Sequence, residues 1–334
     1  MASRAELGLL VLPERPVSEL VDLARGAEDL GYDAIWVADE KFYRDPLVVL
    51  SAMATRTSRV TLGTGVTEPY ARHPALIAMA LGTLAELAPG RVVVGIGAGG
   101  PGFPPMGVIR RKPATALVEA VGIMRGLLVG ERVDLEGEVL SFRGGSLNFP
   151  SRPLPIFVAA RGERVLAAAG GIADGVIVAP FASRPAVEYA VGIVRRGARR
   201  AGRASPSIVA RVDVSIAEEP ERARDAVRYF VALPLWVSYP NWSYVQAIGA
   251  RPPERARALM ARRDYRDITE AANLLPPSMI DHFSIAGTAD EVRQRIAELL
   301  PLVDQLVVHP VPAAGWSMER LVAAIAEVWK EATA

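Results

Sequence analysis

The stretch RVTLGTGVTEPYARHPALIAMALGTLAELAPGRVVVGIGAGG, residues 59–100, decides the fold class. Its apolar run at 60–62 ends in a glycine-rich break, a helix-like segment covers 74–87, and a second apolar run at 92–96 ends in another glycine-rich break. This order is strand, loop, helix, strand, with conformationally flexible glycines at the ends of both strands. Parallel α/β proteins build their active sites at those ends, so the stretch predicts both a fold class and the edge that carries chemistry.

Apolar runs rich in valine and isoleucine recur along the chain, most of them with a helix-like segment behind. Runs with little polar alternation suit a parallel sheet that is buried on both faces. Eight such repeats favour a (β/α)8 TIM barrel over a doubly wound sheet. Ser18 and Gly31 are predicted to cap the first helix. The predicted strands cover residues 7–12, 34–38, 60–62, 92–96, 156–159, 175–178, 208–216 and 305–309.

Length, charge and composition exclude several classes of protein. A chain of 334 residues with 51% hydrophobic content suits one barrel with insertions, expected as a single domain over 1–334. A net charge of +1 gives no field for nucleic acid or an anionic membrane, and no apolar run approaches the roughly 20 residues that span a bilayer. The lack of cysteine excludes disulfides and thiolate catalysis and fits a cytoplasmic location. His73, His282 and His309 lack ligand spacing, so no metal site is expected.

Two segments exceed a minimal barrel. Residues 97–155 contain a predicted helix at 114–128 and a hairpin-like stretch at 133–149, and residues 219–277 are helical in pattern. We expect both segments on the C-terminal rim of the barrel, as a lid or wall of the site.

The segment GIGAGG, residues 95–100, matches the dinucleotide fingerprint G-x-G-x-x-G after a strand. That fingerprint needs a helix to start within it, and Pro101, Pro104 and Pro105 prevent this. We therefore favour a glycine-rich loop beside a bound ring over a Rossmann site.

The segment FVAARGERVLAAAG, residues 157–170, is the better candidate for an anion site. A strand runs into Ala160, Arg161 and Gly162, and a helix starts near Glu163. Free amides at a helix N-terminus attract phosphate, and Arg161 could add a charged hydrogen bond. The alternative is an ordinary turn in which Arg161 is merely solvated.

Acidic and aromatic residues supply the remaining candidates. Asp39 and Glu40 follow the second strand, where a carboxylate can hold a ring or relay a proton, although such residues often cap helices instead. Tyr43 belongs to the same wall, and Glu68 lies beyond the third strand. The aromatic residues Trp236, Tyr239, Trp242 and Tyr244 form either lid packing or the apolar wall of a substrate pocket.

Taken in order, these motifs resemble the luciferase-like monooxygenase superfamily, in its branch that resembles methylenetetrahydromethanopterin reductase and uses coenzyme F420. The resemblance covers nearly the whole chain. It implies a (β/α)8 barrel, a homodimer, and a non-prolyl cis peptide at Gly65–Val66 that supports the back of the deazaflavin ring. The segments that carry it are 36–46, 62–87, 90–100, 111–133, 155–177 and 283–296.

The resemblance also assigns roles to positions of this chain. The cofactor-binding residues that it implies are Asp39 beside the ring, Gly65, Val66, Thr67, Gly97 and Ala98 around it, and Ala159, Ala160, Arg161 and Gly162 at the phosphate. Proton transfer is expected from Asp39, Glu40 or Tyr43. Substrate contacts are expected from Leu10, Glu68, Trp236 and Tyr239.

Two positions depart from the pterin reductases of this family. Those enzymes have acidic residues where this chain has Leu10 and Gly100, and the acids are thought to serve pterin chemistry. The departures argue against a methylenetetrahydromethanopterin reductase. The sequence then predicts an F420-dependent oxidoreductase that moves a hydride between the deazaflavin and an alkene, imine or carbonyl of a small organic substrate. The alternatives are an FMN-dependent monooxygenase and a non-catalytic relative of the family.

Overall fold

The computed structural model describes residues 5–100 and 102–334, and parallel strands close into a barrel at its centre. The barrel wall runs β1–β2–β3–β4–β7–β8–β9–β11 and returns to β1, in the numbering that follows. The strands are β1 Glu6–Val11, β2 Ala34–Val37, β3 Thr61–Thr64, β4 Val92–Ile96, β5 Val133–Glu136, β6 Ser141–Gly145, β7 Ile156–Ala160, β8 Gly175–Val178, β9 Ser207–Ile216, β10 Ser284–Gly287 and β11 Gln305–Pro310. The predicted TIM barrel is confirmed, and the predicted ends of its strands are right to within two residues.

A ring of helices covers the barrel. Neighbours in the ring are α1, α2, α3, α4, α5, α6, α12 and α13, and α13 returns to α1. The helices are α1 Val17–Leu30, α2 Pro46–Ala54, α3 Pro74–Leu87, α4 Pro113–Leu128, α5 Glu163–Ile172, α6 Arg184–Arg200, α7 Pro220–Ser238, α8 Ser243–Ala247, α9 Glu254–Ala261, α10 Ile268–Asn273, α11 Pro277–Phe283, α12 Ala289–Leu299 and α13 Met318–Thr333.

The predicted insertion over residues 97–155 needs a correction, because α4 lies in the helical ring between α3 and α5. Its apolar residues recur at helical spacing and are buried there, so it is a regular part of the barrel. The loop before α4 and the β5–β6 hairpin remain as additions. The hairpin reaches the C-terminal rim, where His73 Nε2 lies 3.1 Å from the Ser141 carbonyl oxygen.

The second predicted insertion, over residues 219–277, is confirmed as a block of helices, α7 to α10, that follows β9. The sequence did not indicate β10, which comes after this block and pairs with the C-terminal half of β9. In the part of the chain that the structure describes, no helix is both long and apolar enough to cross a membrane.

One of the two predicted caps of α1 is confirmed and the other is wrong. Gly31 has φ of 96° and its amide bonds to the Ala27 and Glu28 carbonyls, so the predicted C-cap is confirmed. The predicted N-cap Ser18 is wrong, because α1 already begins at Val17 with Pro16 before it.

A small apolar core fills the barrel and forms the floor of its C-terminal mouth. Leu10, Trp36, Val93, Val209 and Val307 belong to this inner core. A Cβ atom added at position 63 would lie 2.7 Å from the Trp36 ring, so the chain needs glycine there to admit the indole. The floor places the strand ends around one shared space.

Candidate active site

The end of β3 forms one side of the mouth. The Gly65–Val66 peptide is cis, as the resemblance predicts. An added Cβ atom at Gly65 would lie 2.6 Å from Leu10 Cδ1, and one at Gly97 would lie 2.7 Å from Val66 Cγ2. Thr67 completes the join to β4, since its amide donates to the Gly95 carbonyl at 3.0 Å. Glycine is therefore required where β3, β4 and the floor meet.

A buried ionic network lies at the ends of β2 and β3. Thr67 Oγ1 donates to Asp39 Oδ2 at 2.7 Å, and Lys41 Nζ lies 3.0 Å from both Asp39 Oδ1 and Glu68 Oε1. The side chains of Asp39, Lys41 and Glu68 are 6%, 15% and 2% exposed. Burial works against the charge of Lys41, but the two carboxylates raise its pKa above the ordinary value. The structure thus joins the predicted Asp39 directly to Thr67, and to Glu68 through a lysine that sequence analysis did not identify.

Glu40 and Tyr43 lie beside this network but outside its hydrogen bonds. Glu40 is open to solvent at the mouth, yet surrounding protein raises its pKa, with Arg211 and Lys41 opposing the shift. Tyr43 is exposed, and partial burial together with nearby carboxylates raises the pKa of its phenol. Both groups hold a proton more firmly than free side chains do.

The segment after β7 provides an open helix N-terminus. Gly162 precedes α5, no side chain caps this helix, and a Cβ atom built on Gly162 meets no atom within 4 Å. Arg161 Nη1 donates to the Pro234 carbonyl at 3.3 Å. Among the described residues no carboxylate forms an ion pair with Arg161, and burial lowers its pKa. An uncapped helix end beside an unpaired cation and small residues fits a phosphate group.

The four aromatic residues of the lid divide among separate contacts rather than forming one continuous cluster. Trp236 meets Tyr265 with ring centroids 5.8 Å apart, and the Arg263 guanidinium lies 4.1 Å from its ring centroid. Tyr239 contacts Trp242 at 5.3 Å. Tyr244 instead packs on Phe181 at 5.7 Å and on Phe283. Trp236, Trp242 and Tyr244 are buried, which leaves Tyr239 as the predicted substrate contact that is partly open to solvent.

Sequence analysis also missed three inward-facing polar residues, Arg211, Asp213 and His309, which form a buried network on β9 and β11. A signal was present, because Arg211 and Asp213 interrupt the apolar run SIVARVDVSI with a period of two. Within the described chain, no group of three or more His, Asp or Glu residues could hold a metal ion.

Comparison with known proteins fits this geometry. The family model for luciferase-like monooxygenases matches residues 3–305. The chain belongs to the luciferase-like monooxygenase family. It is 33% identical to the 5,10-methylenetetrahydromethanopterin reductase of Methanolobus tindarius over 307 residues, which are 90% of this chain and 92% of that relative. It is 34% identical to the F420-dependent glucose-6-phosphate dehydrogenase of Nakamurella multipartita over 236 residues, 65% of this chain and 69% of that relative.

Two solved structures share the barrel. The coenzyme F420-dependent tetrahydromethanopterin reductase of Methanopyrus kandleri superposes with a TM-score of 0.83 at 28% identity, covering 97% of this chain and 98% of that chain. An F420-dependent secondary alcohol dehydrogenase gives a TM-score of 0.80 at 20% identity over 98% of each chain, a likeness of fold alone.

Proposed function

We propose that this member of the luciferase-like family is an F420-dependent oxidoreductase that moves a hydride between the deazaflavin and a small organic substrate. The observation that carries the proposal is the buried network of Asp39, Lys41 and Glu68 at the strand ends. Buried charges cost free energy unless they are paired, and their position at the C-terminal mouth is where barrel enzymes react. Relatives that are named as F420-dependent support the choice of cofactor.

The residues of the mouth fit this cofactor. We assign the ring to the space beside Asp39 and Thr67, with Gly65, Val66, Gly97 and Ala98 around it. The phosphate is assigned to the segment of Ala159, Ala160, Arg161 and Gly162, at the end of β7 and the start of α5. When bound, the deazaflavin supplies the hydride chemistry, and the protein supplies position and proton transfer.

Glu40 is our candidate for the proton-transferring residue. Its carboxyl is open to the mouth, and its raised pKa brings it closer to the neutral range in which a general acid works well. Asp39 is fixed by Thr67 and Lys41, which suits orientation of the ring. Tyr43 is further out on the exposed rim and would serve as a secondary donor.

The substrate proposal excludes the pterin, even though two of the relatives described above are named as pterin reductases. Leu10 belongs to the apolar inner core and would contact any side chain added at Gly65. Gly100 is exposed, and a Cβ atom built there meets no atom within 4 Å. Neither position supplies the acid that the resemblance implies for pterin chemistry. We therefore propose a less polar organic substrate.

The second candidate function is methylenetetrahydromethanopterin reduction, which the 33% identity over 90% of the chain favours. Anaerobic assays with reduced F420 separate the two candidates. We expect oxidation of the cofactor with members of a panel of ketones, aldehydes and activated alkenes, and none with methylenetetrahydromethanopterin. Turnover of the pterin would overturn the substrate proposal, and flavin-dependent oxygen consumption with FMN would favour a monooxygenase.

We also propose that the chain forms a homodimer and that residues 1–334 are one domain. Light scattering during size-exclusion chromatography tests the first proposal, with twice the chain mass as the expected result and the chain mass alone as the contrary one. Limited proteolysis tests the second. One domain predicts loss of the intact chain without a stable large fragment.

A further inference from the structure

Three polar side chains form a buried network in the middle of β9 and near the C-terminal end of β11. Asp213 accepts a hydrogen bond from Arg211 Nη1 at 3.0 Å and lies 2.9 Å from Arg211 Nη2. Its Oδ1 atom is also 2.7 Å from His309 Nδ1. The Asp213 side chain is fully buried and His309 is 5% exposed, whereas 20% of the Arg211 side chain reaches solvent. The guanidinium is therefore the part of the network that a ligand can reach.

All three side chains point into the barrel. Val209 and Val307 belong to the inner core, and residues two or four positions further along a strand lie on the same face. Arg211 and Asp213 therefore stand above Val209 in successive layers, and His309 stands above Val307. The register places His309 directly opposite Asp213.

The positive charge of Arg211 affects two ionisable groups at the mouth, Glu40 and Arg161. It opposes the burial that raises the pKa of Glu40, and it adds to the burial that lowers the pKa of Arg161. Glu40 follows β2 and Arg161 follows β7, and both strands belong to the barrel wall that surrounds the inner face carrying Arg211. Asp213 occupies two of its nitrogens, and the described residues provide no further hydrogen bond or ion pair to it. Arginine has five N–H donors, so several remain for a ligand.

A role in packing alone explains this network poorly. Aliphatic side chains normally fill a barrel interior, and they would avoid the cost of removing three polar groups from water. The paired carboxylate does have one clear effect, which is to hold the planar guanidinium in a fixed orientation. A fixed guanidinium at the mouth of a hydride-transfer site is suited to binding oxygen.

We propose that Arg211 binds the oxygen of a carbonyl substrate, and that Asp213 and His309 are positioning residues that hold its guanidinium. The inference rests on the proposed function and names a substrate class for it. The positive charge favours a carbonyl over a cationic iminium at the same place, because only the carbonyl develops negative charge as it is reduced.

In the direction of reduction, the carbonyl group gains a hydride at carbon and a proton at oxygen. The carbonyl carbon accepts a hydride with its electron pair from the reduced deazaflavin, which is oxidised. The C=O π bond opens onto oxygen, and Arg211 stabilises the negative charge that forms there. Glu40 then gives that oxygen a proton and regains one from water, so the carbonyl becomes an alcohol.

Acetate binding to the F420-loaded protein tests the assignment, because a carboxylate presents the charged oxygen that the reaction develops. Sodium acetate is titrated at constant ionic strength while the absorbance and fluorescence of the deazaflavin are recorded. We expect a saturable change, with affinity weakened roughly tenfold or more in Arg211→Lys, which keeps a charge beside Asp213 but lacks the planar fork. Arg125→Lys is the matched control, because Arg125 also pairs with an aspartate, Asp174 at 3.0 Å, but at the other end of the barrel. The Arg125→Lys variant should bind acetate with the same affinity as the wild type.

The positioning role has its own variants. His309→Phe removes the hydrogen bond to Asp213 and should weaken acetate binding roughly fivefold or more. His309→Gln restores an N–H donor and should recover most of that affinity, which a packing role alone would not require. Thermal melts establish that each variant is folded.

The outcomes separate this inference from the function on which it rests. If the wild-type protein does not bind F420, both the proposed function and the role of Arg211 are overturned. A protein that binds F420 but not acetate, or that binds acetate equally well when folded Arg211→Lys replaces the wild type, overturns this inference alone.

Discussion

Replacing Lys41 with methionine tests the physical basis of the site. Methionine keeps the length and apolar stem of the side chain but removes its ammonium group. Asp39 and Glu68, each 3.0 Å from that group, would then share a buried site without a cation. The variant should fold less stably and bind the cofactor less well, because the two carboxylates repel each other and lose their common partner.

The magnitude follows from burial. Removing one member of a fully buried ion pair costs about 3–5 kcal/mol. The Lys41 side chain retains 15% exposure, so water can partly solvate the carboxylates that it leaves. Thr67 and the amides of Tyr70 and Ala71 still donate hydrogen bonds to them. We therefore expect a loss of about 2–4 kcal/mol in the free energy of unfolding.

Urea denaturation followed by circular dichroism measures this loss, and Lys112→Met is the matched control. Lys112 pairs with Glu138, but their side chains are 60% and 63% exposed, so its loss should cost at most about 1 kcal/mol. Adding Glu68→Gln to Lys41→Met should recover part of the stability. Equal, small losses for Lys41→Met and Lys112→Met would refute the reasoning, since the buried charges would then not depend on one another.

Three further perturbations test other parts of the account. Arg161→Ala should weaken F420 binding by about 1–3 kcal/mol in a fluorescence titration, the range for a charged hydrogen bond, while Arg164→Ala, which removes an exposed side chain of α5, should not. An unchanged dissociation constant would return Arg161 to the solvated interpretation. Gly95→Ala should destabilise the fold by about 3 kcal/mol, because its Cβ atom would lie 1.9 Å from a backbone oxygen, whereas Gly162→Ala should be nearly neutral in the same urea assay. Burial lowers the pKa of His309 below its ordinary value of 6.5. As the pH falls, the imidazole is therefore protonated in the unfolded chain before it is protonated in the folded protein. The folded state is then stabilised by this histidine above about pH 6.5 and loses that stability at lower pH. His309→Gln should lose less stability than the wild type between about pH 7.5 and about pH 5.5, and an identical loss would show that the buried histidine does not titrate in this way.

The sequence predicted the barrel well because each strand is a distinct apolar run. Residues 92–96 and 175–178 were placed without error, since consecutive Val, Ile and Gly residues end abruptly at loops. β10 was missed because Ser284–Gly287 is short and contains one β-branched residue with an apolar side chain. The position of α4 depends on which neighbours bury its apolar face, and a local pattern does not contain that information.

The site was predictable where chemistry follows directly from a strand end. Asp39 and Thr67 were both expected at the cofactor ring, and the two side chains share a hydrogen bond. Lys41 was missed because a lysine near two acids has no sequence signature until the fold brings Glu68 to it. Arg211 was missed although its alternation with apolar residues inside a strand could have indicated an inward-facing charge.

Titration of the purified wild-type protein with coenzyme F420 and, separately, with FMN tests the central claim most directly. The dissociation constant is obtained from the change in cofactor fluorescence. We predict saturable binding of F420 that weakens in Arg161→Ala, and much weaker binding of FMN. Tight binding of FMN without detectable binding of F420 would contradict it.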